Sequence, residues 1–326
     1  MRAAYYERQG PAASVLKVGE LPLPEPGPGE VRVRIAFSGV NPGDIKKRQD
    51  WMGFGMPAPR IIPHSDGAGV IDAVGSGVDP RRVGRRVWVY GAQSGRPFGT
   101  AAEATVVPDA QAVDLPDAVP DEVGAALGIP GITAWRAVNA DGAVVARNVL
   151  VHGVLGAVGS LAAQLARWGG ARVIGTVRRA SQRAQVPEHV ASAVVGLDDR
   201  DPAAQIRAMA PEGIERVIEV ALSENVELDA RVVSQGAVIA VYGSLTARPE
   251  IPFWPLLFSN VTLRLLGSDD FPDEAKAEAA RGLTRAAADG KLRIDVGRIF
   301  ALDQIAAAHE AVERGELRGR VLVRVQ

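Results

Sequence analysis

The chain contains no cysteine. That absence excludes disulfides, thiolate catalysis and every zinc site built on cysteine ligands. Histidine is scarce too: His64, His152, His189 and His309 are scattered, with no pair at metal-binding spacing along one helix face. A histidine–carboxylate set stays open in principle, and no metal is expected. Only five of the 37 basic residues are lysines, and the formal net charge is −1. A near-neutral chain without a basic run gives no electrostatic case for nucleic acid or an anionic membrane. No uninterrupted apolar stretch approaches the roughly 18 residues of a membrane span. The N-terminal "MRAAYYERQG" lacks the apolar core of a secretory signal, so the cytoplasm is the expected location.

What the chain does have is 326 residues, 47% of them hydrophobic, enough for two domains at about 150 residues each. Two textures alternate. Over residues 1–120, short strand candidates ("EVRVRIAFSGV", "GAGVIDAVG", "RRVWVYGA") are punctuated by proline and glycine, which predicts a mostly antiparallel, barrel-like β domain. Over 121–268, the runs "NVLVHG", "ARVIGTV", "SAVVGLD", "ERVIEV", "AVIAVYGS" and "VTLRLLGS" alternate with helical or polar connections. Repeated strand–crossover units predict a doubly wound parallel sheet. Residues 269–326 hold two helical segments and a last strand, "RVLVRVQ", whose β texture matches the first domain, so the chain is expected to cross back and complete it.

The stretch "VLVHGVLGAVGSLAAQ" joins the first of these parallel strands to an amphipathic helix through Gly153, Gly156 and Gly159. Glycines there permit positive φ and a close backbone approach, and a helix start offers free N–H groups to a pyrophosphate. The turn, with Leu155, Ala157 and Val158 between its glycines, is either a dinucleotide cradle or a bare strand-to-helix turn. Its place in a βαβ unit favours the cradle. An NAD site usually carries Asp or Glu at the end of the second strand. Here that position reads Thr176-Val177-Arg178-Arg179, with Arg183 one turn on. Nothing repels a 2′-phosphate and arginines stand ready to pair with it, which points to NADPH. The alternative is a set of solvated surface arginines. Tyr242, Gly243 and Ser244 end a later strand at the crevice edge, where dinucleotides lie.

Seven pieces, "SGVNPGD", "HSDGAGVI", "GIPGITAWRA", "NVLVHGVLGAVG", "VIEVALSENVELDA", "VIAVYGS" and "AAAHEAVERGELRGRVLV", resemble in order and spacing the zinc-free quinone oxidoreductases of the medium-chain dehydrogenase/reductase superfamily, the zeta-crystallin branch. The resemblance implies an α/β chain: a GroES-like β-rich catalytic domain plus a Rossmann domain, with the active site in the cleft between them. It also implies a homodimer, and a small quinone or enone acceptor. It places Ser223 beside the cofactor, and the Thr133 hydroxyl near the nicotinamide or its ribose. The zinc alcohol dehydrogenases of the superfamily carry a cysteine and a histidine–glutamate pair where this chain has Asn41 and Ser65-Asp66.

With those ligands gone, hydride transfer is expected to reach an acceptor that needs less Lewis-acid help. The resemblance makes Asn41 a candidate donor to the developing oxyanion. The other reading is a turn at Asn41-Pro42 with the amide capping local backbone. Asp66 is expected to bond backbone or an arginine, with a proton relay as the alternative, and His309 reads as structural. Where zeta-crystallin-like chains line the acceptor pocket with tyrosines, this one has Lys46 and Met52, with Trp51 and Phe54 nearby. That loop either covers a flat apolar acceptor or packs against the domain. The acceptor is therefore open between a quinone and an α,β-unsaturated carbonyl. A binding role without catalysis, structural or toward RNA, is the third possibility.

Overall fold

The alternation in "EVRVRIAFSG" becomes a ten-residue strand, β3 (Glu30–Gly39), in which Val31, Val33 and Ile35 are fully buried. The computed structural model describes residues 1–315 and 317–326. These residues divide into two units: Met1–Ile129 with Leu283–Ala288 and Arg293–Gln326, and Pro130–Gly282 with Asp289–Leu292.

In the first unit, β1 (Arg2–Tyr5) and β2 (Lys17–Glu20) form an antiparallel pair joined through α1 (Ala12–Val15). The main sheet adds to β3 the strands β4 (Asp66–Val74), β5 (Arg86–Val89), β6 (Ala104–Pro108) and β7 (Ala112–Asp114). From the C-terminal region come β14 (Val296–Ala301) and β15 (Arg320–Arg324). The order is β14-β15-β3-β4-β5-β7, with β6 also on β3. All pairings are antiparallel except β14 with β15. The expected return of the last strand is therefore seen: β15 pairs with β3, Leu322 opposite Gly39. Helices α2 (Pro42–Arg48), α3 (Asp121–Gly124) and α10 (Ile305–Arg314) complete the unit. α2 starts where Asn41-Pro42 says it should, because proline at the first helical turn has no N–H to waste.

The second unit is built on six parallel strands: β8 (Asn148–Val151), β9 (Arg172–Val177), β10 (Ala193–Gly196), β11 (Ile214–Glu219), β12 (Val233–Val241) and β13 (Thr262–Leu265). Their order, β10-β9-β8-β11-β12-β13, reverses direction at β8, the topological switch point of a doubly wound sheet. Val149, Leu150 and Val151 are all buried, as the central strand of a sheet covered on both faces requires. Each contributes roughly 1.5–3 kcal/mol by leaving water. The remaining helices are α4 (Gly128–Asn139), α5 (Ala157–Trp168), α6 (Pro202–Met209), α7 (Leu222–Val232), α8 (Phe253–Phe258) and α9 (Asp273–Ala288). Among the described residues, no helix is long and apolar enough to cross a membrane.

Candidate active site

The glycine turn follows β8 directly and feeds α5. Gly153 takes φ 67°, a left-handed conformation that a side chain would strain. A Cβ on Gly159 would lie 2.3 Å from the Gly153 carbonyl oxygen, so only glycine lets the helix start this close to the turn. Gly156 precedes α5 in extended conformation and is exposed, and no side chain caps the helix. The first-turn N–H groups, at Ala157, Val158 and Gly159, thus lack intrahelical partners and form a ready anion site. Arg178 and Arg179 follow β9 and are exposed, and neither guanidinium has a partner among the described residues. Arg183 is different: it pairs with Asp199 and is committed to the protein. A pyrophosphate and a 2′-phosphate fit these donors.

Thr176 does not face outward. It is fully buried, and its hydroxyl lies 2.9 Å from His152 Nδ1 and 3.4 Å from the Gly153 N–H. It therefore acts on a ligand only through the turn. His152 Nε2 lies 2.8 Å from Asp229 and 3.5 Å from Glu219, both wholly buried. Glu219 in turn accepts from the Asn225 amide at 3.0 Å and from the Ala221 N–H. Burial opposes a charged His152, but Asp229 and Glu219 outweigh it and raise the pKa. Burial also pushes Glu219 up to about 7, helped by Asp229 and opposed by His152. Potential ligand atoms of these three residues lie within 4.8 Å of one another. Both imidazole nitrogens are hydrogen-bonded within the protein, Nδ1 to Thr176 and Nε2 to Asp229. Tyr242 is half-buried beside Glu219, and burial, then that carboxylate, raise its pKa. A Cβ at Gly243 would meet the Val220 carbonyl oxygen at 2.3 Å, so the segments after β11 and β12 touch. Ser223 accepts from the Leu245 N–H at 3.2 Å, while the Ser244 hydroxyl donates to the Thr246 carbonyl. The ends of four adjacent strands thus bring the expected cofactor residues together.

In the first unit, Asn41 is buried and begins α2, its N–H bonded to Asp44. Its amide does not cap local backbone. Nδ2 donates to Asp66 Oδ2 at 2.7 Å, and Oδ1 accepts from Arg320 Nη1 at 2.9 Å. A guanidinium only donates and a carboxylate accepts, so the amide orientation is assigned without ambiguity. Asp66 also accepts from the Ile129 N–H at 2.9 Å and lies 3.7 Å from Arg320 Nη2. It bonds backbone and faces an arginine, the two partners expected of it. Burial lowers the pKa of Arg320, against the pull of Asp66 and Asp44. Sequence reasoning missed Arg320, and its only signal was a charge inside an apolar strand. The donor set where zinc would sit is therefore an amide, the Ser65 hydroxyl and one carboxylate, beside a buried guanidinium. It does not fit zinc, which takes Cys, His and carboxylate ligands and gains nothing from a fixed cation beside it.

Trp51, Met52 and Phe54 are 57%, 54% and 83% exposed, so their loop is not packed against the unit. Lys46 Nζ sits 4.3 Å from the centre of the Trp51 ring. Thr133 is buried in α4.

A doubly wound sheet with a glycine turn at its switch point has the architecture of a dinucleotide-binding domain, and the chain joins it to an antiparallel unit that carries Asn41. Comparison with known proteins agrees. Residues 27–117 match the alcohol dehydrogenase GroES-like domain, and residues 157–280 the zinc-binding dehydrogenase domain. Mouse quinone oxidoreductase is 30% identical over 319 residues, covering 95% of this chain and 93% of its own. A Pseudomonas syringae pv. tomato quinone oxidoreductase superposes with a TM-score of 0.85 at 25% identity, over 99% of both chains. A mycobacterial protein solved with NADPH gives 0.86 at 24% identity, over 100% of both. The chain belongs to the medium-chain dehydrogenase/reductase superfamily, in its zeta-crystallin-like quinone oxidoreductase branch. It is an NAD(P)H-dependent oxidoreductase.

Proposed function

We propose that this protein reduces a quinone at the expense of NADPH, without a metal. One observation carries the reading: an open glycine cradle after β8 is accompanied, beyond β9, by two exposed and uncommitted arginines with no carboxylate between residues 176 and 179. Bound NADPH supplies the hydride. The turn from Gly153 to Gly159 holds the pyrophosphate, Arg178 and Arg179 hold the 2′-phosphate, and Ser223 with Tyr242–Ser244 borders the rest of the dinucleotide. Thr133 offers a hydroxyl to the nicotinamide end. Trp51, Met52 and Phe54 offer an apolar face to a flat acceptor, with Lys46 bracing the indole.

Hydride addition to a quinone puts negative charge on an oxygen conjugated to the accepting carbon. Asp66 and Arg320 fix the Asn41 amide, and its second N–H, with no partner among the described residues, would donate to that oxygen. A neutral donor suffices because the acceptor is already reactive. The test is a steady-state panel of quinones and enones with NADPH, run with and without exhaustive chelation. Quinones should turn over fastest, and chelation should change nothing. Asn41→Ala should lower kcat roughly tenfold, less than the 10²-fold or more typical of oxyanion donors, while NADPH binding holds. Turnover of enones alone would move the assignment to an enone reductase, and chelator-sensitive turnover would overturn the metal-free mechanism.

A homodimer belongs to the same reading. β13 ends the parallel sheet, and Leu265 upon it is largely exposed, as are Phe253, Trp254 and Phe258 of α8, the helix that precedes β13 in the chain. An unprotected edge flanked by apolar side chains favours pairing with a second copy. Sedimentation should report a dimer that Leu265→Asp weakens; a wild-type monomer would refute it.

A further inference from the structure

His64 has φ 76°, a region that side-chain-bearing residues rarely occupy and that glycine fills without strain. Strain of this kind persists where the surroundings over-determine it, and it marks sites where a side chain is needed. The surroundings here do so. A Cβ on Gly99 would lie 2.1 Å from the His64 carbonyl oxygen, and that oxygen accepts from the Thr100 N–H at 3.0 Å. Ser65, the next residue, accepts from the Ala92 N–H at 3.0 Å.

The His64 imidazole is buried in a continuous chain of hydrogen bonds. Nδ1 lies 2.8 Å from Ser38 Oγ, which lies 2.7 Å from Thr100 Oγ1, which donates to the Asp66 backbone carbonyl at 2.5 Å. On the other side, Nε2 lies 2.9 Å from His309 Nε2, and His309 Nδ1 accepts from Arg48 Nε at 3.4 Å. Arg48 is itself held by Glu313 at 3.1 Å and by the Gly10 carbonyl.

The two ends fix the direction of every proton between them. A guanidinium can only donate and a carbonyl can only accept. Hence His309 carries its proton on Nε2, His64 carries its proton on Nδ1, and both rings are neutral. The two hydroxyls then donate toward Asp66. Burial and neighbouring positive charge act the same way: His64 is pushed down to about 3 by burial and by Arg320, and His309 well below its usual range by burial, His64 and Arg48. Since neither end titrates near neutrality, the chain carries no net proton. It orients.

We propose that His64 and His309 are positioning residues that set the Asp66 backbone, and through the Asp66 carboxylate the Asn41 amide. The proposal rests on the role given to Asn41 above. The charged and titratable groups around the pair and its chain are Tyr6 beyond β1, Asp44 and Arg48 on α2, Glu310 and Glu313 on α10, Asp66 on β4 and Arg320 on β15.

The test begins with the unmodified protein, selectively labelled with ¹⁵N-histidine. Two of the four imidazoles should show fixed neutral tautomers, one protonated on Nδ1 and the other on Nε2, unchanged from pH 8 down to about pH 5. Cationic or rapidly exchanging rings at both positions would overturn the chain. His309→Leu should then lower kcat between about tenfold and a hundredfold, the range expected when a reacting group is slightly misplaced, with the NADPH KM unchanged. His309→Gln, whose amide N–H reaches the place of Nε2–H, should recover most of that loss. Unchanged kcat in His309→Leu, or failure of glutamine to do better than leucine, would overturn the positioning role. The Asn41 Nδ2 proton resonances, read in ¹⁵N-asparagine-labelled samples of the unmodified protein and of both variants, should move in His309→Leu and return in His309→Gln. They decide the positioning even for a chain inactive toward quinones and enones, an outcome that would sink the functional reading alone.

Discussion

Gly156→Val should abolish NADPH binding while the protein still folds. Gly156 sits at φ −82°, ψ 161°, an extended conformation that any residue adopts and that β-branched residues favour. Its added Cβ would meet only the Gly153 carbonyl oxygen, at 3.2 Å, a contact that a small shift relieves. Loss of glycine ahead of the helix costs about 1 kcal/mol. A pyrophosphate, however, must approach the turn to hydrogen-bonding distance, and an isopropyl group on the exposed side stands in that approach. Fluorescence titration should show no saturable NADPH binding, with a melting temperature only a few degrees lower. The matched control is Gly159→Val, whose Cβ would lie 2.3 Å from the same carbonyl oxygen. That variant should fail in the fold itself. Undiminished binding by the folded Gly156→Val protein would mean that the dinucleotide lies elsewhere.

The same glycines explain why this part of the site was legible in the sequence. A buried parallel strand, a turn needing positive φ and a helix start are all local, so residues 149–168 announce them in one stretch. The return of "RVLVRVQ" to the first unit was legible for a related reason, since its alternation suits an antiparallel neighbour and has no place in the parallel run. What was not legible is what pairs across the chain. His152 meets Asp229, and His64 meets His309, through contacts 77 and 245 residues apart. Nothing in the local pattern of "PHSDGAG" or "AAAHEAVE" says which buried histidine faces which. Thr176 misleads for the same reason. At the end of β9 it stands where a ribose-binding acid stands in NAD sites, yet its hydroxyl turns inward because a buried His152 needs a partner. Arg320 reads as a surface residue until β15 is seen to lie beside β3, where its guanidinium reaches Asn41 and Asp66. Helix α8, "FWPLLF", carried no helical signal, and its aromatic residues remain largely exposed.

Replacing both Arg178 and Arg179 with alanine should raise the NADPH KM by more than about tenfold and leave the NADH KM within about twofold. A charge-assisted bond to a phosphate oxygen contributes roughly 1.5–3 kcal/mol, and each decade in binding corresponds to about 1.4 kcal/mol. Two such bonds would give a far larger ratio if they were dry. Both arginines are exposed, so solvent and salt screen them, and the lower end of the range is the sound expectation. If these arginines discriminate by charge, NADPH binding by the unmodified protein should weaken with salt more steeply than NADH binding, which carries only the shared pyrophosphate charge. Arg183 offers a negative control, because its guanidinium is already paired with Asp199 and its removal should not separate the two cofactors. Lysine at both positions should restore part of the preference, as a point charge without the bidentate fork. Steady-state kinetics with both dinucleotides, at two salt concentrations, checks all of these at once. Equal effects on NADPH and NADH would remove these two arginines from the 2′-phosphate site.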